Sequence, residues 1–363
     1  MADITASMVK ELREMTGAGM MDCKKALTET NGNMDEAVEF LRKSGAAKFE
    51  KKAGRIAAEG ICRVALDGNK KAAVVEVNAE TDFVAKNEVF QAFVEEVAKQ
   101  ALATSAKDVD ALLEEKLLSN PAMTVKELLV EKTATIGEKL SIRRFEKAEG
   151  DCVVSYIHGG GRIGVVVVGN GAGDGDDIKE ALTNVAMQVA AMNPQFVNKS
   201  EISADQMAKE REIVIDSALN DPASLPKPIL NALIERAYNE NIWSAEDKAI
   251  YDEKKTNMQF LFNFLSDEAA KQLAALAMEG KATYLNDKVF GGLVEGRINK
   301  HLKEICLLDQ AYVKAEDGKQ PVAKYLESVS KDLTVAKFIR FEVGEGMEKK
   351  NEDFAAEVAA QLG

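Results

Sequence analysis

The sequence predicts an α+β protein. A three-helix module comes first, then two copies of one α/β subdomain with antiparallel sheets, the second interrupted by a long helical insertion. Three observations carry this reading. The order strand, turn, strand, loop, helix and closing strand occurs twice, and the closing strands read Ile142-Arg143-Arg144-Phe145-Glu146 and Ile339-Arg340-Phe341-Glu342. Residues 4–45 break into short amphipathic runs separated by glycine turns. Residues from about 201 to 307 are nearly all helical in pattern. The boundaries that follow are 1–55 for the module and its linker, 56–148 for the first copy and 149–345 for the second. Residues 346–363 read as a short C-terminal helical module.

Composition narrows the function. A chain of 363 residues is too long for one small core, and 46% apolar with 29% charged residues describes a soluble globular protein. No apolar run reaches membrane-spanning length, and the N-terminus does not read as a signal peptide. Cys23, Cys62, Cys152 and Cys306 are scattered, as expected of reduced thiols in the cytoplasm. The net charge of -13 argues against direct nucleic-acid binding, which requires phosphate neutralisation. With only His158 and His301, no metal cluster and no histidine-based catalytic triad is expected.

The first helix, about Thr5–Met15, sets Met8, Val9, Leu12 and Met15 on one face and stops at Thr16-Gly17-Ala18-Gly19. The second, about Met20–Glu29, turns Cys23, Ala26 and Leu27 inward. Adjacent Met20 and Met21 cannot both face that core, so one of them is expected at the surface, either as a partner contact or as an incidentally exposed side chain. Asn33 caps the third helix with Glu36 three residues on, and Gly45 reads as its C-cap. Lys48, Lys51, Lys52 and Arg55 then read as the solvated face of a linker helix in preference to a binding patch.

In the first copy, strands Ile61–Leu66 and Ala72–Val77 flank an Asp67-Gly68-Asn69 turn. Helices are expected at Glu88–Ala103, Asp108–Leu118 and Val125–Thr135. Between the second strand and the first of these helices stands Thr81-Asp82-Phe83-Val84. Two readings of this loop compete. Phe83 folds back as a lid while Asp82 caps the next helix, or the pair projects as an aromatic-plus-acid wedge for a partner. The equivalent loop of the second copy, Gly169-Asn170-Gly171-Ala172-Gly173-Asp174-Gly175, has no aromatic, so the fold itself does not require one. That favours the wedge.

The glycine loop is not a nucleotide site. The third glycine of a dinucleotide fingerprint falls on Asp174 or Asp176, and no Gly-Lys-Ser/Thr ending is present. The second copy otherwise runs from Cys152–His158 through Gly159-Gly160-Gly161 to Ile163–Val168 and a helix over Ile178–Val189. Its insertion reads as helices at Met207–Leu219, Ile229–Tyr238, Asp252–Phe264, Asp267–Met278 and Val289–Leu308, with Pro222, Pro226 and Pro228 forcing a bend. Such an arm folds as an antiparallel, coiled-coil-like hairpin or a small bundle, in which Trp243 serves packing. A last helix is expected over Asn351–Gln361, with Phe354 and Val358 on one face.

In order along nearly the whole chain, these motifs resemble bacterial translation elongation factor Ts. They are Thr16-Gly17-Ala18-Gly19-Met20-Met21-Asp22-Cys23-Lys24-Lys25-Ala26-Leu27, Thr81-Asp82-Phe83-Val84-Ala85-Lys86, His158 with Arg162-Ile163-Gly164, and Phe338-Ile339-Arg340-Phe341-Glu342-Val343-Gly344-Glu345-Gly346. The segment between about Asn220 and Lys281 looks longer than the usual family arm. The resemblance implies a UBA-like N-terminal module and a non-enzymatic guanine nucleotide exchange factor for elongation factor Tu, acting on its GDP-bound and nucleotide-free forms. It further implies that Thr81, Asp82, Phe83 and Val84 disturb the partner's magnesium site, and that Lys10, Arg13, Met20, Met21 and His158 dock. No cofactor or metal of its own is implied, and a homodimer of heterodimers is compatible with it. Two rivals stand beside it: an α/β nucleotide-binding enzyme, disfavoured by the failed fingerprints, and a helical scaffold working through its arm.

Overall fold

A computed structural model of the chain describes residues 4–256 and 258–348, so the helix expected over Asn351–Gln361 lies outside the described residues. Side-chain caps set the start of two of its first three helices. Thr5 caps α1 (Ala6–Thr16), which ends on left-handed Gly17; α2 (Met20–Glu29) follows, and Asn33 caps α3 (Met34–Lys52). Leu12, Cys23, Ala26, Leu27 and Ala37 close a small core among them. Gly45 does not end α3. The helix runs on to Lys52, and Gly45 is buried where a Cβ would touch Ala134 and Val130, so the missing side chain serves close packing between helices.

The first copy pairs β1 (Glu59–Asp67), β2 (Lys71–Ala79) and, further on, β3 (Ser141–Glu149) in one antiparallel sheet with β2 central. Between β2 and β3 come α4 (Asp82–Ala85), α5 (Glu88–Ala103), α6 (Val109–Glu114) and α7 (Val125–Ile136). Helix α6 stops at Glu114, short of the expected Leu118. The second copy has β4 (Cys152–His158), β5 (Ile163–Asn170) and α8 (Asp176–Met192). The chain then leaves for α9 (Ala204–Leu219), α10 (Lys227–Asn239), α11 (Ala245–Lys254), α12 (Asp267–Glu279), α13 (Lys281–Tyr284) and α14 (Lys288–Ile305). It returns through α15 (Val322–Val329) to β6 (Thr334–Glu342), which pairs with β5. Both central strands slip register near their ends, between Glu76 and Val77 and between Val168 and Gly169, so the duplication extends to its irregularities.

The described chain divides into two compact units. One holds the residues up to Asn193 with Tyr312–Lys314 and those from Val322 onward; the other holds Pro194–Ala311 and Ala315–Pro321. In the first unit the two sheets lie face to face. Cys62, Ala72 and Val74 of one meet Val166, Val168, Ile339 and Phe341 of the other. Gly164 permits this closeness, since a Cβ there would stand 2.9 Å from that of Cys62. Phe90, Phe93, Val94 and Val97 of α5 cover the outer face of the first sheet, and α8 covers β4 and β5. With both faces covered, β2 is buried from Ala72 to Ala79 rather than alternating. All four cysteines are free and buried. Burial, with the nearby Glu76 charge, pushes the Cys62 thiol up to about 12. Iodoacetamide at pH 8 should therefore spare Cys62 in the folded chain and label it on unfolding, as peptide mass mapping would reveal.

The second unit is a small helical bundle. Helices α9 and α14 run antiparallel, tied by Arg211–Glu295 at 2.5 Å and His301–Glu210 at 3.1 Å. Trp243 is 3% exposed in its core and donates Nε1–H to the Ala269 carbonyl. The helix expected over Asp252–Phe264 is absent: α11 ends at Lys254, and Met258–Asn263 form a 3-10 turn instead. Among the described residues no helix is long and apolar enough to cross a membrane.

Candidate functional site

The loop after β2 is a single helical turn, and adjacent residues in it take opposite roles. Val84 is 7% exposed and packs in the core beneath α5, whereas Phe83 is 79% exposed, the most exposed of the large apolar side chains described. The lid is therefore Val84, and Phe83 stands outward. Nor does Asp82 cap α5. Asn87 does so, its Oδ1 accepting from the Val89 and Phe90 amides at 2.9 and 3.2 Å. Asp82 opens α4, is exposed, and pairs with Lys86 at 3.4 Å, a contact worth little in water.

Thr81 is half-buried and points inward: its amide and hydroxyl both donate to the Glu138 carboxylate, at 3.0 and 2.7 Å. Of the four residues singled out in this loop, only Asp82 and Phe83 leave their side chains exposed; Thr81 and Val84 hold the turn from below. Glu138 had no signal in the sequence, because it lies 57 positions from Thr81 and meets it only through the fold.

Lys10 and Arg13 are exposed on α1, and Met20 and Met21 at the start of α2 are 59% and 76% exposed. One surface methionine was expected there and both are found. They occupy the first turn of α2, and Cys23, Ala26 and Leu27 fill the core without them. Met15, expected in that core, is also exposed, so three methionines flank the Thr16–Gly19 turn. His158 stands exposed at the end of edge strand β4 in the other sheet, its Nδ1 3.1 Å from the Tyr156 hydroxyl.

The glycine loop of the second copy is built for packing. Gly171 has φ 89°, and a Cβ there would meet the Asp332 carbonyl oxygen at 2.2 Å. Asp174 accepts from Asn69 at 2.8 Å and pairs with Lys70 at 3.0 Å, which ties the loop to the β1–β2 turn and holds its carboxyl below the usual range. Among the described residues no cluster of three or more His, Cys, Asp or Glu is placed to hold a metal ion.

Fold and surface together define a duplicated α+β protein that displays one exposed aromatic-acid turn and a small helical module with exposed methionines. The family model described as elongation factor TS matches residues 80–264 and 262–345. The chain is 43% identical over 366 residues to elongation factor Ts of Clostridioides difficile (strain 630), covering 100% of both chains. It is 42% identical to elongation factor Ts of Clostridium novyi (strain NT) and of Clostridium tetani (strain Massachusetts / E88), with 99% of each chain covered. The chain belongs to the elongation factor Ts family. Because these matches run end to end, the long arm is shared with those relatives and is no peculiarity of this chain.

Proposed function

We propose that this chain is a guanine nucleotide exchange factor for elongation factor Tu. Membership of the elongation factor Ts family implies that activity. In our reading the α1–α3 module docks on the GTPase through Lys10, Arg13, Met20 and Met21, with His158 as a further contact. The Asp82–Phe83 turn enters near the magnesium and phosphate sites. The observation that carries this is Phe83 itself, an aromatic 79% exposed on a turn that Thr81 and Val84 anchor from below.

The physics is one of coupled equilibria. A nucleotide held at about nanomolar affinity, with an ordinary association rate, leaves at roughly 10⁻³ per second. The factor speeds this by binding the nucleotide-free GTPase better than the loaded one, and the coupling is reciprocal, so incoming nucleotide expels the factor. Magnesium demands near-ideal octahedral geometry, so a small shift of its ligands loosens it. Burying Phe83 in the partner contributes about 1.5–3 kcal/mol towards the distorted state. The Asp82 carboxylate adds a charge beside the metal. No covalent bond changes in this scheme, so the chain acts without being an enzyme.

The test is GDP release from elongation factor Tu, followed with a fluorescent nucleotide. Phe83→Ala is expected to lower the saturating release rate by about tenfold or more. Its melting temperature should hold, because the side chain contributes nothing to the chain's own core. Unchanged release would remove the wedge, and would favour a scaffold acting through the helical arm.

A further inference from the structure

We propose that Glu138 is the positioning residue of the Asp82–Phe83 turn, and that it fixes the turn to the same strut that carries the docking helices. This inference rests on the exchange reading and deepens it. The strut is α3, whose first half closes the α1–α2 core and whose second half packs along α7. Arg42 of α3 joins Glu127, in the first turn of α7, at 2.5 Å. Helix α7 ends on left-handed Gly137, and the two residues that follow point in different directions. Glu138 accepts both donors of Thr81, one residue before the wedge. Lys139 donates Nζ to the Ala53 and Arg55 carbonyls, both at 2.7 Å, just beyond the end of α3. Its amide donates to Glu80 at 2.6 Å, and the same Glu80 carboxylate accepts from Arg55 at 3.1 Å.

The end of α3, the end of α7 and the base of the wedge are therefore one hydrogen-bonded knot. Thr81 occupies the N-cap position of α4, where a threonine usually accepts from the helix with its own oxygen. Here it makes no such bond and gives its hydroxyl to Glu138 instead. The turn is thus oriented from outside itself. With Val84 in the core and Thr81 held from α7, Phe83 projects at a fixed direction from the α1–α2 surface. A factor docked by its helices then delivers Phe83 to one place on the partner, without an ordering cost at that moment.

The experiment measures GDP release from elongation factor Tu against factor concentration for the full chain, Glu138→Ala, Glu138→Gln, Phe83→Ala and Phe83→Ala/Glu138→Ala. Glu138→Ala should lower the saturating rate about tenfold, the scale of losing charge-assisted hydrogen bonds. It should leave the half-saturating concentration within about twofold, since the docking residues are untouched. Glu138→Gln keeps one acceptor and should fall between it and the parent. In the Phe83→Ala background the Glu138 change should cost almost nothing further, because it acts through that side chain. Hydrogen exchange of the Thr81–Ala85 amides in the free chain should quicken in Glu138→Ala while the sheet amides keep their protection. An equal loss in both backgrounds, or a full rate in Glu138→Ala while Phe83→Ala is slow, overturns the positioning role alone. A full rate in Phe83→Ala overturns the wedge and this inference with it.

Discussion

Glu76→Ala is expected to destabilise the first unit by about 3–5 kcal/mol, because it strips the partner from two arginines at the junction of the copies. Glu76 is fully buried in β2. It accepts from Arg143 at 2.9 Å, Arg144 at 2.6 Å, the Gly344 amide at 2.8 Å and Asn78 at 3.1 Å. Arg144 reaches on to Glu345 at 3.1 Å and lies 4.2 Å from the Phe341 ring centroid. One carboxylate thus binds the middle of the first copy to the end of the second. At about 2–4 °C per kcal/mol for a unit of this size, the melting temperature should fall by roughly 6–20 °C. Glu76→Gln keeps the shape and one of the two acceptor oxygens, and should cost less. In a cycle with Arg144→Ala the double variant should be clearly more stable than the sum of the singles predicts. Strict additivity, or a shift within about 1 °C, would show that the two sheets hold together by apolar packing alone.

That cluster also marks how far the sequence could be read. The closing strings Ile142–Glu146 and Ile339–Glu342 announce the duplication, yet nothing in them tells that Arg144 of one crosses to Glu345 of the other. Period and caps are local properties, so the strands and most helices were legible. Gly45 misled because a glycine inside a helix and one just past its end look alike in sequence; the difference is the presence of Val130 and Ala134 against it. One helix was expected over Asp252–Phe264, whereas the segment breaks after Lys254 and still brings Leu261 and Leu265 into the core. Helix α15 went unread. At the candidate site, the contrast between the two loops was enough to single out Phe83. Its partition from Val84, one residue away, needed the fold, because a four-residue helical turn sends neighbouring side chains to opposite sides.

The second large effect concerns the arm, where the structure changes what its removal should do. If Pro222–Glu279 were a free appendage, replacing it with a short glycine-serine turn would leave α9 and α14 intact, since loop length itself matters little. It is no free appendage. Ile215 and Leu219 of α9 and Phe290, Val294 and Ile298 of α14 share one core with Leu230, Leu233, Ile234, Trp243, Leu261 and Leu273 from the replaced segment. Each large side chain left bare forfeits about 1.5–3 kcal/mol, and several together match the whole stability of a domain, about 5–15 kcal/mol. The trimmed chain should therefore lose more helical signal than the excised residues account for, bind a hydrophobic dye, and melt without the transition that belongs to the helical unit. The two-sheet unit has its own core and should keep its transition. Because the Asp82–Phe83 turn and the α1–α3 module proposed to dock both belong to that unit, GDP release at saturating factor should stay within about threefold of the full chain. A trimmed chain whose α9–α14 pair remains fully helical would restore the appendage view. A collapse of saturating release with the two-sheet transition intact would make the arm part of the release mechanism, and Phe83 only one of its agents.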